Sequence, residues 1–259
     1  MVIVSQGRPG VTHFVDHGGT GPVVVLLHSF LMDGDMFAPQ ITALGDAFRL
    51  VTVDERGHGK TPADGPFNYW DVADDVLAVL DGLGIDQFAV IGTSQGGFVG
   101  LRLALLAPDR VTALAVLGSS AAAEDPQVAE AYRGLGALWT TQGPTDQLLD
   151  MVATICIGAM DASAWKVKLR ALPYELVPLV LEALTGRDGV VDRLAEISCP
   201  TLVLHGTADA AYPVERAKEI AETVPKGELV LVEGGAHFLS LTDPDAVNPP
   251  LREFLSTNA

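Results

Sequence analysis

The pentapeptide Gly92-Thr93-Ser94-Gln95-Gly96 is where the chain most sharply spells out a reaction. It fits the pattern G-x-S-x-G, which is weak alone and gains meaning from its setting. An apolar strand-like run, residues 88–91, leads into it, and an apolar helical stretch, residues 95–107, leads out. Strand, tight turn and helix is the arrangement that presents a nucleophilic serine. Glycines two positions either side of Ser94 remove side chains that would collide inside such a turn. The helix beginning at Gln95 offers unpaired N–H groups and a partial positive charge to an oxyanion forming beside Ser94. The chemistry implied is attack of a serine oxygen on a carbonyl.

A serine hydroxyl needs a base at neutral pH, and the chain has six histidines. His13 and His17 flank the first strands and are expected at the surface. His28 and His205 each end a strand and are expected to make structural hydrogen bonds there. His58 sits in Arg56-Gly57-His58-Gly59 as a turn residue. His237 follows the strand at 228–233 and the Gly234-Gly235 pair, in a loop at the carboxyl edge of the sheet, where ligands bind in open α/β sheets. His237 is therefore the base. Asp209, in Gly206-Thr207-Ala208-Asp209 after the strand Thr201–Gly206, is the carboxylate expected to orient it. Glu124 and Asp125, beyond the strand Val111–Leu117, compete for that role. The order Ser94, Asp209, His237 is the one found with a G-x-S-x-G serine.

These residues need a frame. Apolar runs at residues 11–15, 23–28, 50–53, 88–92, 111–117, 201–206 and 228–233 alternate with helical patterns, which predicts an α/β fold with a parallel sheet. In residues 69–83, Val72, Val76, Val79, Leu80 and Leu83 recur at helical spacing, while Asp71, Asp74, Asp75 and Asp81 form a solvated face. The alternation fails in residues 118–200. There the pattern predicts helices at 126–141, 144–157, 162–172 and 174–184, an insertion best placed as a cap over one end of the sheet. The division expected is a core in two parts, 1–120 and 197–259, around a helical cap, 121–196. Trp139, Trp165, Tyr132, Tyr174, Met151 and Met160 are expected to be mainly cap core, with a few facing a pocket.

Taken together, His28-Ser29-Phe30, Asp54-Glu55-Arg56-Gly57-His58-Gly59, Gly92–Gly96, Gly206–Asp209 and Gly234-Gly235-Ala236-His237 resemble the α/β-hydrolase superfamily over nearly the whole chain. The resemblance implies a mostly parallel central sheet, helices on both faces and a helical cap. Within the superfamily the chain is similar to the capped esterase and enol-lactonase group, to carbon–carbon bond hydrolases and to cofactor-free haloperoxidases. It implies an oxyanion hole from the backbone N–H groups of Phe30 and Gln95. Two features depart from the family pattern. Ser29 stands where glycine usually follows the histidine, and Asn248-Pro249-Pro250 interrupts the last helix, where a kink or restart is expected.

Composition narrows the rest. Lys plus Arg is 16 and Asp plus Glu is 33, a net charge of −17. That argues against nucleic acid and anionic membrane as partners. With 48% hydrophobic and 19% charged residues, the chain can build a large core. MVIVSQGRPG has no leader pattern, and the apolar runs are too short to span a bilayer. Two cysteines, Cys156 and Cys199, are too few for a disulfide framework and are expected in the core. A cytoplasmic location is expected. No H-E-x-x-H and no G-x-G-x-x-G in the first βα turn occur, so neither metal nor organic cofactor is expected. The leading expectation is a serine hydrolase of a small-molecule ester or lactone. The alternatives are cleavage of a carbon–carbon bond beside a ketone and a receptor that binds without turnover. Ser94 in place of Asp disfavours a dehalogenase or epoxide hydrolase, and Phe238 in place of Lys disfavours a hydroxynitrile lyase.

Overall fold

A computed structural model describes residues 3–4 and 12–259. Most of the segment searched for a leader, and Val11 of the expected 11–15 strand, lie outside the described residues. Eight strands are described: β1 (Ile3–Val4), β2 (Phe14–Asp16), β3 (Val23–Leu27), β4 (Arg49–Val53), β5 (Phe88–Thr93), β6 (Val111–Leu117), β7 (Thr201–Gly206) and β8 (Gly227–Val232). They form one sheet in the order β1-β2-β4-β3-β5-β6-β7-β8. β2 pairs antiparallel with β1 and β4. All pairs from β4 to β8 are parallel. β5 and β7 are buried along their full length, which is why their sequences are apolar almost without alternation.

The helices are α1 (Ala38–Leu44), α2 (Tyr69–Gly82), α3 (Gln95–Leu106), α4 (Pro126–Gln142), α5 (Asp146–Ile157), α6 (Ser163–Arg170), α7 (Leu176–Thr185), α8 (Val214–Thr223), α9 (Leu239–Thr242) and α10 (Pro244–Asn258). α2 starts where Asn68 caps the N–H groups of Trp70 and Asp71, while the Asp71 carboxylate accepts the Asn68 N–H. Its buried stripe contains Val72, Val76, Val79 and Leu80. α2 packs on α3, and α1 packs on α10, so helices cover both faces of the sheet. Among the described residues, no helix is long and apolar enough to cross a membrane.

Of the kink or restart expected in the last helix, α10 excludes the restart. The helix continues through Pro249 and Pro250 without a restart. Two N–H donors are lost there, but Val247, Leu251, Phe254 and Leu255 remain buried. Gln40 Nε2 also donates to Asn248 Oδ1 at 2.8 Å. Tertiary packing outweighs the local preference.

The strand order reverses direction around β3, which has β4 on one side and β5 on the other. Loops leaving β3 and β5 therefore diverge and open a crevice at the carboxyl edge. Phe30 follows β3, Ser94 follows β5, Asp209 follows β7 and His237 follows β8, so one edge gathers all four. Helices α4 to α7 enter between β6 and β7. Their attachment is tied down by Val190 N–H to Ala121 O (2.7 Å) and by Trp165 Nε1–H to Leu31 O (3.4 Å).

Candidate active site

Ser94 has φ 52° and ψ −108°, left-handed backbone that a residue with a Cβ rarely adopts. Such strain persists only where the surroundings over-determine it. Here Ser94 N–H donates to Leu117 O (2.8 Å), Ser119 Oγ donates to Ser94 O (2.7 Å), and Gly96 N–H donates to His28 O (3.0 Å). A Cβ on Gly92 would strike the Gly96 carbonyl, and one on Gly96 would strike the Leu27 carbonyl. Both glycines are needed for strand, turn and helix to approach this closely.

Ser94 Oγ lies 2.9 Å from His237 Nε2, and His237 Nδ1 lies 2.8 Å from Asp209 Oδ2. All three side chains are buried. The His237 loop is held at both ends of the pair: Phe238 N–H donates to Cys156 O (2.8 Å), and Thr93 Oγ1 bonds Ser240 Oγ (3.0 Å). Asp209 Oδ1 accepts the N–H groups of Ala211 (2.7 Å) and Tyr212 (2.9 Å), which leaves Oδ2 to His237. Burial pushes the Asp209 carboxyl up, but bonding and charge from His237, the Tyr212 N–H and His205 outweigh it, so the group stays ionised below the ordinary range. A hydroxyl bonded to imidazole, itself oriented by a buried carboxylate, is the constellation that activates oxygen for acyl transfer.

Glu124 is brought elsewhere. Its Oε2 accepts from Arg187 Nη1 (2.7 Å) and from the Tyr212 hydroxyl (3.3 Å). Asp125 caps α4 through the N–H groups of Gln127 and Val128. Neither competitor bonds His237. Phe30 lines the same cavity as Ser94 and His237, and Gln95 opens α3 directly after Ser94. Neither backbone N–H has an acceptor among the described residues.

The other histidines support the loops. His28 Nε2 accepts the Glu55 N–H (2.8 Å), so its proton sits on Nδ1 and is donated to Ser29 O (2.8 Å). His58, expected as a simple turn residue, is buried with its ring 5.2 Å from His28 and 5.9 Å from Phe30. Burial pushes it down to about 3, so it is neutral. His13 is not at the surface as expected: it is buried, with Nδ1 2.9 Å from Asp54 Oδ2. His17 is half-buried against Thr52 Oγ1 at 3.1 Å.

Sequence reasoning missed three neighbours. Tyr212 contributes its N–H to Asp209 and sets its ring 5.5 Å from that of His237, edge-on. Glu55 is buried beneath the elbow and accepts Gln95 Nε2–H at 2.7 Å, while Gln95 Oε1 accepts from the Tyr69 hydroxyl at 3.1 Å. Burial pushes the Glu55 carboxyl up to about 8, partly offset by Gln95. Arg187 pairs with Glu124 and lies 4.3 Å over the Phe98 ring. The available signals were a charged residue, Glu55, at a strand end, and the aromatic Tyr212 three residues after Asp209.

A cavity opens above Ser94, lined also by Phe30, Leu31 and His237. Its walls include Tyr132 and Trp139 from α4, Val152 and Cys156 from α5 and Leu181 from α7. Met151 and Met160 are instead exposed, and Trp165 packs on Phe238. Among the described residues no three His, Cys, Asp or Glu side chains gather to hold a metal.

A parallel-rich α/β sheet with a strained serine at the switch point defines a class, and comparison with known proteins agrees. A family model described as the alpha/beta hydrolase fold matches residues 22–146, and one described as TAP-like protein matches residues 184–259. The chain belongs to the α/β-hydrolase family. A protein of Agrobacterium fabrum named "Putative carbamate hydrolase RutD" is 31% identical over 94% of this chain and 97% of its own. One of the same name from Caulobacter vibrioides is 30% identical over 94% of each chain. Among solved structures, an enol-lactonase from Burkholderia xenovorans has a TM-score of 0.86 and 26% identity over 95% of this chain and 97% of its own. A thermophilic esterase from Thermogutta terrifontis has a TM-score of 0.82 and 26% identity over 99% and 98%.

Proposed function

We propose that the chain hydrolyses a carboxylic ester or lactone through an acyl intermediate on Ser94. The observation that carries this is the 2.9 Å contact between Ser94 Oγ and His237 Nε2, continued at 2.8 Å to Asp209. His237 takes the Ser94 proton as Oγ bonds the carbonyl carbon. Asp209 holds the imidazole with Nδ1 protonated and stabilises its cationic form. The N–H groups of Phe30 and Gln95 receive the oxyanion. The tetrahedral species collapses as His237 returns the proton to the leaving alkoxide. Water, losing its proton to His237, then attacks the acyl carbonyl, and the acid leaves as Ser94 regains its proton. The residues do this without a metal or organic cofactor.

In this reading residues 121–196 act as a cap over a two-part core, 1–120 and 197–259. The apolar walls that α4, α5 and α7 give the cavity support that assignment. A carbamate carbonyl would suit the same attack. The ester or lactone is preferred because the walls are nearly all apolar and because an enol-lactonase and an esterase share the fold. Turnover of p-nitrophenyl acetate or butanoate tests the reading. Many turnovers are expected, abolished in Ser94→Ala. One stoichiometric burst and no further product would overturn it in favour of a receptor.

A further inference from the structure

We propose that the cavity above Ser94 selects an uncharged, apolar acyl group and rejects an acyl group that carries a carboxylate. This rests on the reading of Ser94 as the residue that accepts the acyl group, and specifies the chemistry of what it accepts.

The walls show what an acyl chain would meet. Leu135, Val152, Ile155, Val177, Leu181 and Leu184 supply aliphatic surface from three helices. Beyond Ser94 and His237, the polar atoms of lining side chains are the phenols of Tyr132 and Tyr212, the Cys156 thiol and the Trp139 indole N–H. The two phenols and the thiol are held neutral, their acidities weakened by burial. Such groups can bond one neutral oxygen, as in a lactone or ether, but cannot balance a full charge. Among the described residues no Lys or Arg lines the cavity.

The cation behind the wall is committed. Arg187 is buried, and its Nη1 donates to Glu124 Oε2 at 2.7 Å and to Leu184 O at 3.0 Å. Its Nε donates to Ala122 O at 3.2 Å, and Phe98 covers its face. Lys168 bonds Asp33 and Asp35 outside this cavity. Against His237 stands the negative charge of Asp209, and the chain as a whole carries −17. A substrate carboxylate entering here would lose its water, meet no cation and face a like charge.

The test compares two acyl groups of one length. p-Nitrophenyl pentanoate should be turned over with a kcat/KM at least about 100-fold above that of the mono-p-nitrophenyl ester of glutaric acid. In parallel, calorimetry on Ser94→Ala should show methyl pentanoate binding more tightly than monomethyl glutarate by a similar factor. Equal kcat/KM values, equal affinities, or no measurable binding of the neutral ester would overturn the selectivity. If the wild type turns over neither ester, the acyl-serine reading fails, and the two affinities in Ser94→Ala still decide what the cavity accepts.

Discussion

The Tyr212 ring stands edge-on to the His237 imidazole, with 5.5 Å between centroids and 68° between planes. Its backbone N–H meanwhile holds the Asp209 carboxylate at 2.9 Å. One residue thus touches both partners of the hydrogen-bonded pair, through different atoms. An edge-to-face ring pair contributes about 1 kcal/mol, so Tyr212→Ala should lower kcat by about fivefold. Tyr212→Phe keeps the ring and should retain most of the rate. Steady-state kinetics on p-nitrophenyl butanoate checks both, and an equal loss in the two variants would place the effect in the hydroxyl instead.

Asp209 and Glu124 should separate cleanly. Asp209→Asn removes the acceptor that fixes the His237 tautomer, and kcat should fall by about 10⁴, the size of this effect in serine proteases. Glu124→Gln should leave kcat far less changed. It leaves the Arg187 guanidinium buried without its counter-charge, a destabilisation of about 3 kcal/mol or more. Denaturant unfolding and kinetics on the two variants distinguish the roles. A 10⁴ loss in Glu124→Gln with an active Asp209→Asn would reverse the assignment.

The walls of the cavity give a third contrast. Trp139 lines the cavity, whereas Met151 on the next helix is 44% exposed. Trp139→Ala should change relative kcat/KM among acyl lengths by about 1–3 kcal/mol, as expected for a pocket contact. Met151→Ala should leave the ranking unaltered. A rate series from acetate to octanoate esters measures both.

Much of this was legible because it is written in local sequence. The run Gly92–Gly96, a strand before it and a helix after it require a turn that only glycines at both ends allow, and φ at Ser94 is the direct result. The four inserted helices followed from apolar spacing, to within a few residues at their ends. What sequence could not give were contacts made across the sheet. His13 was expected at the surface because it flanks the first strands, yet it is buried against Asp54, a partner far away in sequence. The partnership of Glu55 with Gln95 joins the ends of two strands, and no periodicity encodes it. The helix through Pro249 and Pro250 survives because Gln40 and a buried stripe hold it, interactions absent from local preference.

Glu55 makes a prediction about stability and pH. Its carboxyl is raised from an ordinary 4.5 to about 8 by burial, so between those values the folded state holds a proton that the unfolded state has lost. The stabilisation it provides is complete below about 4.5, declines as pH rises, and is gone above about 8, a swing on the order of a few kcal/mol. Glu55→Gln keeps the shape without the titration. Its Tm should therefore gain on the wild type progressively from pH 5 to pH 8. Parallel pH profiles of Tm for the two proteins would contradict a buried, protonated Glu55.

Covalent labelling reaches the central claim most directly, because it reports which oxygen reacts. After treatment with a fluorophosphonate, peptide mass spectrometry should find one adduct, on the peptide that contains Ser94. If His237, 2.9 Å from Ser94 Oγ, is the base, His237→Ala should slow its formation by orders of magnitude. Labelling at Ser119 or Ser120 in place of Ser94, or labelling of Ser94 at an unchanged rate without His237, would contradict the account.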